Sequence, residues 1–177
     1  MIREASPSDQ AAILSVINDG ASAYRGVIPP DRWREPYMSE DELRSEIEAG
    51  VQFSCFLEET DLVGVMGVQD RGAVVLIRHA YIRTQARRRG IGAQLLTALT
   101  QKTTKPVLIG TWKVATWAID FYVKHGFAVL PDNQARTLLE RYWRVPVRQM
   151  ETSVVLANAS FEAAMGVSST GNQFVLE

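Results

Sequence analysis

The sequence predicts a single α/β (α+β) domain with a mixed central sheet and helices on both faces. Two observations support this fold class. The chain has 177 residues, a length typical of one domain, and segments with helical and with strand-like hydrophobic spacing follow one another along it. We assign residues 1–160 to the domain and expect residues 161–177 to form a tail or packing arm.

The amino-terminal part of the chain predicts two capped helices. The Ser-Pro-Ser-Asp sequence at 6–9 forms a helix start with a capping box, and the helix is expected to end at Gly20. Ser39 and Glu42 repeat the capping box for a second helix, which Gly50 terminates in a left-handed conformation.

Short apolar runs replace the helical spacing from Val51 onward. The runs VQFSCFL, LVGVMGV and AVVLIRHAYI predict three strands of an antiparallel meander. A helix then follows Gly92, and PVLIGTW predicts a buried strand. The rest of the chain predicts a helix over 114–125, a strand at FAVL, a helix capped by Asp132 and a last strand at RQMETSVVLA.

Charge and composition limit the class of partner. A formal net charge of -1 argues against a protein that coats nucleic acid or an anionic membrane, because such partners need a broad basic surface. The start lacks the regions of a signal peptide, and no apolar run approaches the ~18 residues that span a bilayer. We therefore predict a cytoplasmic protein. The sequence has one cysteine and two histidines, too few to form a zinc-binding motif with the usual ligand spacing. We therefore expect no bound metal.

Arginines and glycines stand where the third strand of the meander leads into a helix. Backbone N–H groups are unpaired at a helix start, and the helix dipole is positive there. Gly90 and Gly92 let the backbone approach a ligand, and guanidinium groups suit phosphate. The segment RRRGIGA at 87–93 therefore predicts a turn that binds a diphosphate. A P-loop is disfavoured, since Ala93 and Gln94 replace its Lys and Ser/Thr.

Two segments together resemble the GNAT superfamily of N-acetyltransferases. Arg87-x-x-Gly90-x-Gly92 is similar to the family's R/Q-x-x-G-x-G/A signature, and AIDFYVKHGF at 118–127 is similar to its A-I-x-F-Y-x-K-x-G-F segment. The resemblance implies the acyl-CoA N-acyltransferase (GNAT-like) fold, with acetyl-CoA as acyl donor and an amine as acceptor. Ala115 departs from the pattern, because many members have asparagine there.

The resemblance also implies which residues hold acetyl-CoA. Backbone N–H groups of the turn would bind the pyrophosphate, and the end of the preceding strand would pair with the pantetheine arm. The strand residues implied are Tyr81, Ile82 and Arg83, and the turn residues are Arg87, Arg88, Arg89, Gly90, Ile91, Gly92 and Ala93.

Acetyl transfer to an amine needs a base for the ammonium proton and an acid for the leaving thiolate. Tyr122 resembles the family's general acid. His79 is our candidate base, because histidine exchanges protons near neutral pH. Glu35, Glu58 or a chain of waters would serve as well, and a histidine packed and hydrogen-bonded within the sheet is the structural alternative.

The acceptor site is expected on the long loop between the first two helices. Its sequence, ASAYRGVIPPDRWREPYMS, carries aromatic rings and both signs of charge, and loops of this length are uncommon without a function. We assign Tyr24, Trp33 and Glu35 to acceptor binding. The aromatic residues would equally well pin the loop to the core.

The resemblance, together with these residues, implies an N-acetyltransferase that moves an acetyl group from acetyl-CoA to a primary amine of a small molecule, by direct transfer in a ternary complex. Cys55 is expected to be an inert buried thiol, which disfavours an acyl-enzyme route. The alternatives are an acetyltransferase of peptide or protein amines and a catalytically silent CoA-binding sensor. Pairing of the last strand across a homodimer is also left open.

Overall fold

Seven strands form one sheet in the computed structural model, which describes residues 1–143 and 145–165. In chain order the strands are β1 (Ile2–Glu4), β2 (Val51–Glu58), β3 (Asp61–Asp70), β4 (Val75–Ile82), β5 (Val107–Trp112), β6 (Phe127–Val129) and β7 (Ser153–Asn158). Their order across the sheet is β1-β2-β3-β4-β5-β7-β6. Among these seven described strands only β4 and β5 are parallel neighbours, so the predicted mixed sheet and its β2–β3–β4 meander are confirmed.

Helices cover both faces of the sheet, as the sequence predicts. In chain order they are α1 (Gln10–Ala21), α2 (Glu40–Glu48), α3 (Ile91–Thr100), α4 (Thr116–Lys124), α5 (Asp132–Leu138), α6 (Val147–Glu151) and α7 (Ala159–Met165). Val65 of β3 packs in one apolar cluster with residues of α1 and α2, whereas its neighbour Met66 packs in another with residues of α3 and α4. Because successive side chains of a strand point to opposite faces, these two clusters lie on opposite sides of the sheet.

The two capping boxes are confirmed, but Gly20 does not end the first helix. Ser6 and Asp9 form the first box, which opens a 3-10 turn before α1, and Ser39 and Glu42 form the second. Gly20 lies buried in the last turn of α1. A Cβ atom there would lie 3.0 Å from the Cβ of Tyr81. The glycine therefore permits close packing of α1 on β4.

The last predicted strand is wrong over its first half. The chain from Val147 to Glu151 is the helix α6, and β7 begins only at Ser153. Pro146 precedes the helix and its carbonyl accepts the N–H of Gln149 and of Met150, which starts a helical turn. Met150 lies on this helix and its side chain is buried. Its apolar side chain therefore packs a helix against the core and is not part of a strand.

Three further features of the structure were not predicted from the sequence. The strand β1 was not predicted, because three residues are too short to show a period. Pro131 takes the cap position of α5, and Asp132 is its first residue. Phe161, within the predicted tail or arm, is buried in the apolar cluster beneath α5. Residues 161–165 of that segment belong to α7, and residues 166–177 lie outside the described residues.

We expect Asp9 to stabilise the protein in a pH-dependent way. Its carboxylate accepts two hydrogen bonds from Arg3, at 2.7 and 2.9 Å, and one from the Ser6 N–H at 2.6 Å. The bonds from Arg3 and then Ser6 hold the pKa of Asp9 well below its usual range. A carboxyl group with a lowered folded-state pKa stabilises the fold above its unfolded pKa of about 4, and this contribution is lost as the pH falls below that value.

The Asp9→Asn variant should therefore melt at a lower temperature than the parent at neutral pH, and the gap should narrow below about pH 4. Thermal unfolding followed by circular dichroism at several pH values measures both quantities. A gap that stayed constant down to acidic pH would show that the charge of Asp9 is not the stabilising feature.

Candidate active site

Strands β4 and β5 separate after a short parallel contact. Their ladder joins only Val75–Ile77 with Val107–Ile109, although β4 continues to Ile82. A β-bulge interrupts β4, where His79 and Ala80 together oppose one residue of β3, and His79 has a φ of 50°. A bulge bends the strand that carries it. A gap therefore opens between β4 and β5 over the second half of β4.

A cleft of about 600 Å³, the large cleft, lies at this gap. It is bounded by the end of α1, the end of β4, the turn into α3 and one side of α4. Most of the residues predicted to hold the acyl donor line it, namely Tyr81, Ile82, Arg87, Arg88, Gly90, Ile91, Gly92 and Ala93. Clefts of this size hold cofactors and other small molecules.

The turn into α3 has the backbone conformation of an anion-binding site. Arg88 has a φ of 62° and Gly90, the residue that precedes α3, has a φ of 76°. Left-handed residues in such a turn aim successive N–H groups toward one point, next to the positive end of the helix dipole. A Cβ on Gly90 would meet no atom within 4 Å. The backbone conformation, and not packing, is therefore what requires glycine there.

The arginine side chains of this turn have different roles. The Arg87 guanidinium donates to the carbonyl of Gly20 at 2.6 Å, at the end of α1. Arg89 pairs through both terminal nitrogens with Glu58, at 3.0 and 2.6 Å, on the β2 side. Arg88 is exposed and lines the large cleft. Arg87 and Arg89 thus hold the turn in place through their bonds to Gly20 and Glu58. Arg88 forms no such bond among the described contacts and lines the large cleft.

Arg83 and Arg89 are the predicted donor-site residues that do not line the large cleft. The Arg83 guanidinium donates to the carbonyl of Leu62 at 2.9 Å, and its backbone N–H donates to Val63 at 2.8 Å. Both bonds tie the end of β4 to β3. The opposite edge of this part of β4 faces the gap.

Tyr122 lies on α4 with its ring against the large cleft. Its side chain is buried, with edge-on contacts to Phe121 and Phe127 at ring-centroid distances of 5.0 and 5.9 Å. Burial, and to a smaller extent the nearby Tyr24, raises the pKa of Tyr122 far above its usual range. The phenol is therefore protonated at neutral pH and available as a proton donor.

A smaller cavity of about 170 Å³ is lined by residues of both β4 and β5, and we call it the aromatic pocket. Its aromatic walls are Tyr24, Tyr37, Tyr81, Trp112 and Trp143. Tyr24 and Tyr81 line the large cleft as well. The two cavities therefore adjoin at these two tyrosines.

The predicted acceptor residues are not all brought together. Tyr24 lines both cavities, but Trp33 and Glu35 line neither. Glu35 is exposed and forms an ion pair with Arg25, whose guanidinium also lies 5.6 Å from the centre of the Trp33 ring. Trp33 packs 5.7 Å from Tyr37. Trp33 thus supports the loop behind the pocket wall.

Sequence reasoning missed Trp143 as a wall of the aromatic pocket. It reaches the pocket because Gly110 of β5 has no side chain, and a Cβ there would lie 3.2 Å from the indole ring. Trp143 follows α5, so no local pattern places it beside β5. A glycine in the middle of an apolar strand was the available signal, since such glycines mark close approach of another group.

The two histidines lie at different cavities. His79 lines the aromatic pocket, and its Nε2 atom lies 3.1 Å from a carboxylate oxygen of Glu46 on α2. His125 ends α4 at the large cleft, where its Nδ1 atom lies 2.7 Å from the carbonyl of Phe121. His125 therefore caps the carboxyl end of α4.

This arrangement can now be compared with known proteins. The family model described as "Acetyltransferase (GNAT) domain" matches residues 6–140. The chain belongs to the GNAT acetyltransferase family. A comparison with curated protein sequences finds no match.

Several solved structures are similar to this chain in fold. The PaiA N-acetyltransferase of Thermoplasma acidophilum, in complex with coenzyme A, has a TM-score of 0.67 at 18% identity, over 89% of this chain and 97% of that one. The ribosomal-protein-S18-alanine N-acetyltransferase of Escherichia coli has a TM-score of 0.65 at 13% identity, over 99% of each chain. The N-acetylglutamate synthase of Neisseria gonorrhoeae, complexed with coenzyme A and N-acetyl-glutamate, has a TM-score of 0.61 at 16% identity, over 89% of this chain and 34% of that one.

Two further observations concern only the described residues. None of the helices is long and apolar enough to cross a membrane. No group of three or more His, Cys, Asp or Glu side chains within 1–143 and 145–165 is placed to hold a metal ion.

Proposed function

We propose that this GNAT protein is an N-acetyltransferase that moves the acetyl group of acetyl-CoA to a primary amine of a small molecule. The observation that carries the proposal is the position of Tyr122. Its buried, protonated phenol lies on the large cleft beside Tyr24, where that cleft adjoins the aromatic pocket. A proton donor at this junction is what a leaving thiolate requires.

The donor would be held by the turn into α3 and by β4. Backbone N–H groups from Arg88 to Ala93 suit the pyrophosphate, with the Arg88 guanidinium beside them. The free edge of the chain from Tyr81 to Arg83, at the end of β4, suits the amide groups of the pantetheine arm. Arg87 and Arg89 would act indirectly, because their bonds to Gly20 and Glu58 hold the turn in place.

Bound acetyl-CoA supplies an activated acetyl thioester, and the protein supplies proton transfer. Tyr122 would donate its proton to the sulfur as the thiolate leaves. Direct transfer is supported by Cys55, the one cysteine of the chain. It is fully buried in the cluster that faces α1 and α2, and burial raises the pKa of its thiol to about 11. Such a thiol is unsuited to carry an acyl group.

The aromatic pocket would hold the acceptor. Its volume of about 170 Å³ suits a small molecule, and none of its described lining residues is an aspartate or glutamate. Aromatic walls and the Arg78 guanidinium, with no carboxylate among the described lining residues, disfavour a polycation such as a polyamine. The pocket would thus bind an uncharged part of the acceptor and present one amine to the large cleft.

Thermal unfolding with acetyl-CoA tests the proposal first, with CoA, ATP and NAD as comparisons. A ligand at about 100 times its Kd stabilises the fold by about 2.7 kcal/mol, which should raise the Tm by about 5 to 10 °C. We expect this shift with the two CoA species alone. Release of CoA thiol with a panel of amines then tests catalysis.

The same two measurements separate the alternatives. A Tm shift without turnover on any small amine or peptide would contradict the proposal and favour a CoA-binding sensor. Turnover on peptides alone would move the acceptor class to peptide or protein amines. If neither acetyl-CoA nor CoA raised the Tm, the result would contradict acetyl-CoA as the acyl donor.

A further inference from the structure

We infer that Glu46 of α2 positions the His79 imidazole to accept the proton of the acceptor amine. This inference rests on the proposed function and assigns its proton acceptor. It draws on the β-bulge in β4, the contacts of the Glu46 carboxylate and the place of His79 on the aromatic pocket.

The bulge brings two consecutive side chains to one carboxylate. In a regular strand Arg78 and His79 would point to opposite faces of the sheet. Here Arg78 Nη2 lies 2.7 Å from Glu46 Oε2, and His79 Nε2 lies 3.1 Å from the same oxygen. The left-handed φ of 50° at His79 is a conformation that costs free energy and recurs at functional sites. The strand is therefore distorted where His79 meets Glu46.

Glu46 stays ionised in this position. Its burial raises the pKa of the carboxyl group, but the contact with His79 and the charge of Arg78 outweigh that effect and lower the pKa overall. Arg78 is held in turn by Gln69, at 2.9 Å. Glu46 Oε2 and His79 Nε2 are both buried, lie 3.1 Å apart and make no hydrogen bond to any other described group, so the carboxylate is the acceptor available to an Nε2–H, and Nδ1 would then be the basic nitrogen of the ring.

The imidazole is placed to act on the acceptor side. His79 lines the aromatic pocket, and the Phe53 ring lies 6.0 Å from the centre of the imidazole. The charged and titratable groups around it, among the described residues, are Glu46 on α2, Arg78 on β4 and the phenols of Tyr24, Tyr37 and Tyr81 across the pocket.

The two carboxylates that were alternative candidate bases, Glu35 and Glu58, form ion pairs away from the aromatic pocket. Glu35 pairs with Arg25 and lines neither cavity, and Glu58 pairs with Arg89 behind the turn into α3. Both lie outside the aromatic pocket. Of the candidate bases named from the sequence, His79 is thus the one that lines the aromatic pocket.

The protons and electrons of the transfer balance with these groups. His79 takes one proton from the ammonium group, directly or through one water. The amine lone pair then forms the C–N bond, and the electron pair of the breaking C–S bond stays on sulfur, which takes the proton of Tyr122. The second proton lost from nitrogen returns to the Tyr122 phenolate. One proton per turnover leaves to solvent from His79.

Kinetic variants test the catalytic part. We expect His79→Gln to lower kcat about tenfold or more and to remove the acidic limb of the kcat/KM profile. Glu46→Gln should lower kcat about tenfold, because the carboxylate that orients the imidazole is lost, with the KM for acetyl-CoA unchanged. Glu48→Gln, an exposed carboxylate of the same helix, is the matched control and should behave as the parent.

An NMR measurement tests the positioning part without turnover. The chain has two histidines, so His125→Gln assigns the imidazole ¹⁵N signals of His79. We expect His79 in its Nε2–H tautomer in the parent and a mixture of tautomers in Glu46→Gln.

Each result decides a separate point. An Nδ1–H tautomer in the parent, or the same tautomer in parent and Glu46→Gln, overturns the positioning role of Glu46. An acidic limb that persists in His79→Gln overturns the role of His79, even where Tm falls. If the parent binds acetyl-CoA and acetylates no amine, the proposed function fails while the tautomer result still decides the role of Glu46.

Discussion

The Tyr122→Phe variant is expected to turn over about 10 to 1,000 times more slowly than the parent, with little change in the Kd for acetyl-CoA. The phenol is the buried proton donor that α4 places on the large cleft, and its raised pKa keeps it protonated. Phenylalanine keeps the ring and its contacts with Phe121 and Phe127, so the cleft should keep its shape. Steady-state release of CoA thiol measures kcat, and thermal shift measures donor binding.

Tyr142→Phe is the matched control for this variant. Tyr142 is also a buried tyrosine, but it lies in the apolar cluster beneath α5 and α6, away from the large cleft. Loss of its hydroxyl should leave kcat unchanged. Full activity in Tyr122→Phe would take this residue out of the mechanism and leave protonation of the thiolate to water.

The second large effect is expected from Gly90→Ala, which should raise the Kd for acetyl-CoA about tenfold or more. Gly90 has a φ of 76°, and an L-residue in that conformation costs about 1 kcal/mol. The turn relieves the strain by changing φ, which moves its N–H groups away from a shared point. A calorimetric titration with acetyl-CoA measures the change.

Gly72→Ala separates strain from binding. Gly72 has nearly the same φ, 77°, with no atom within 4 Å of an added Cβ, and it lies in the hairpin between β3 and β4. Both variants should lose similar stability in urea, and only Gly90→Ala should lose affinity. Equal affinities in the two variants would contradict the assignment of the turn as the pyrophosphate site.

The elements that could be predicted from the sequence are those with local signals. The capping boxes at Ser6 and Ser39 depend on residues three apart, and the three strands of the meander show as separate apolar runs. The two segments around Gly90 and Tyr122 indicated the family, which the family model confirms. The strand predicted from 148 to 157 failed over its first half because Pro146 starts a helix that its apolar residues fit equally well.

The sequence by itself therefore determined the fold class, the family and the position of the turn into α3, because each depends on residues close together in the chain. Only the tertiary structure decided which side chains meet. The bulge in β4 brings His79 to Glu46, the Arg87 guanidinium bonds to Gly20 at the edge of the large cleft, and Arg89 pairs with Glu58 outside that cleft. These contacts join different helices, strands and turns, and they depend on the order of the strands and on the packing of the helices, which no local pattern records.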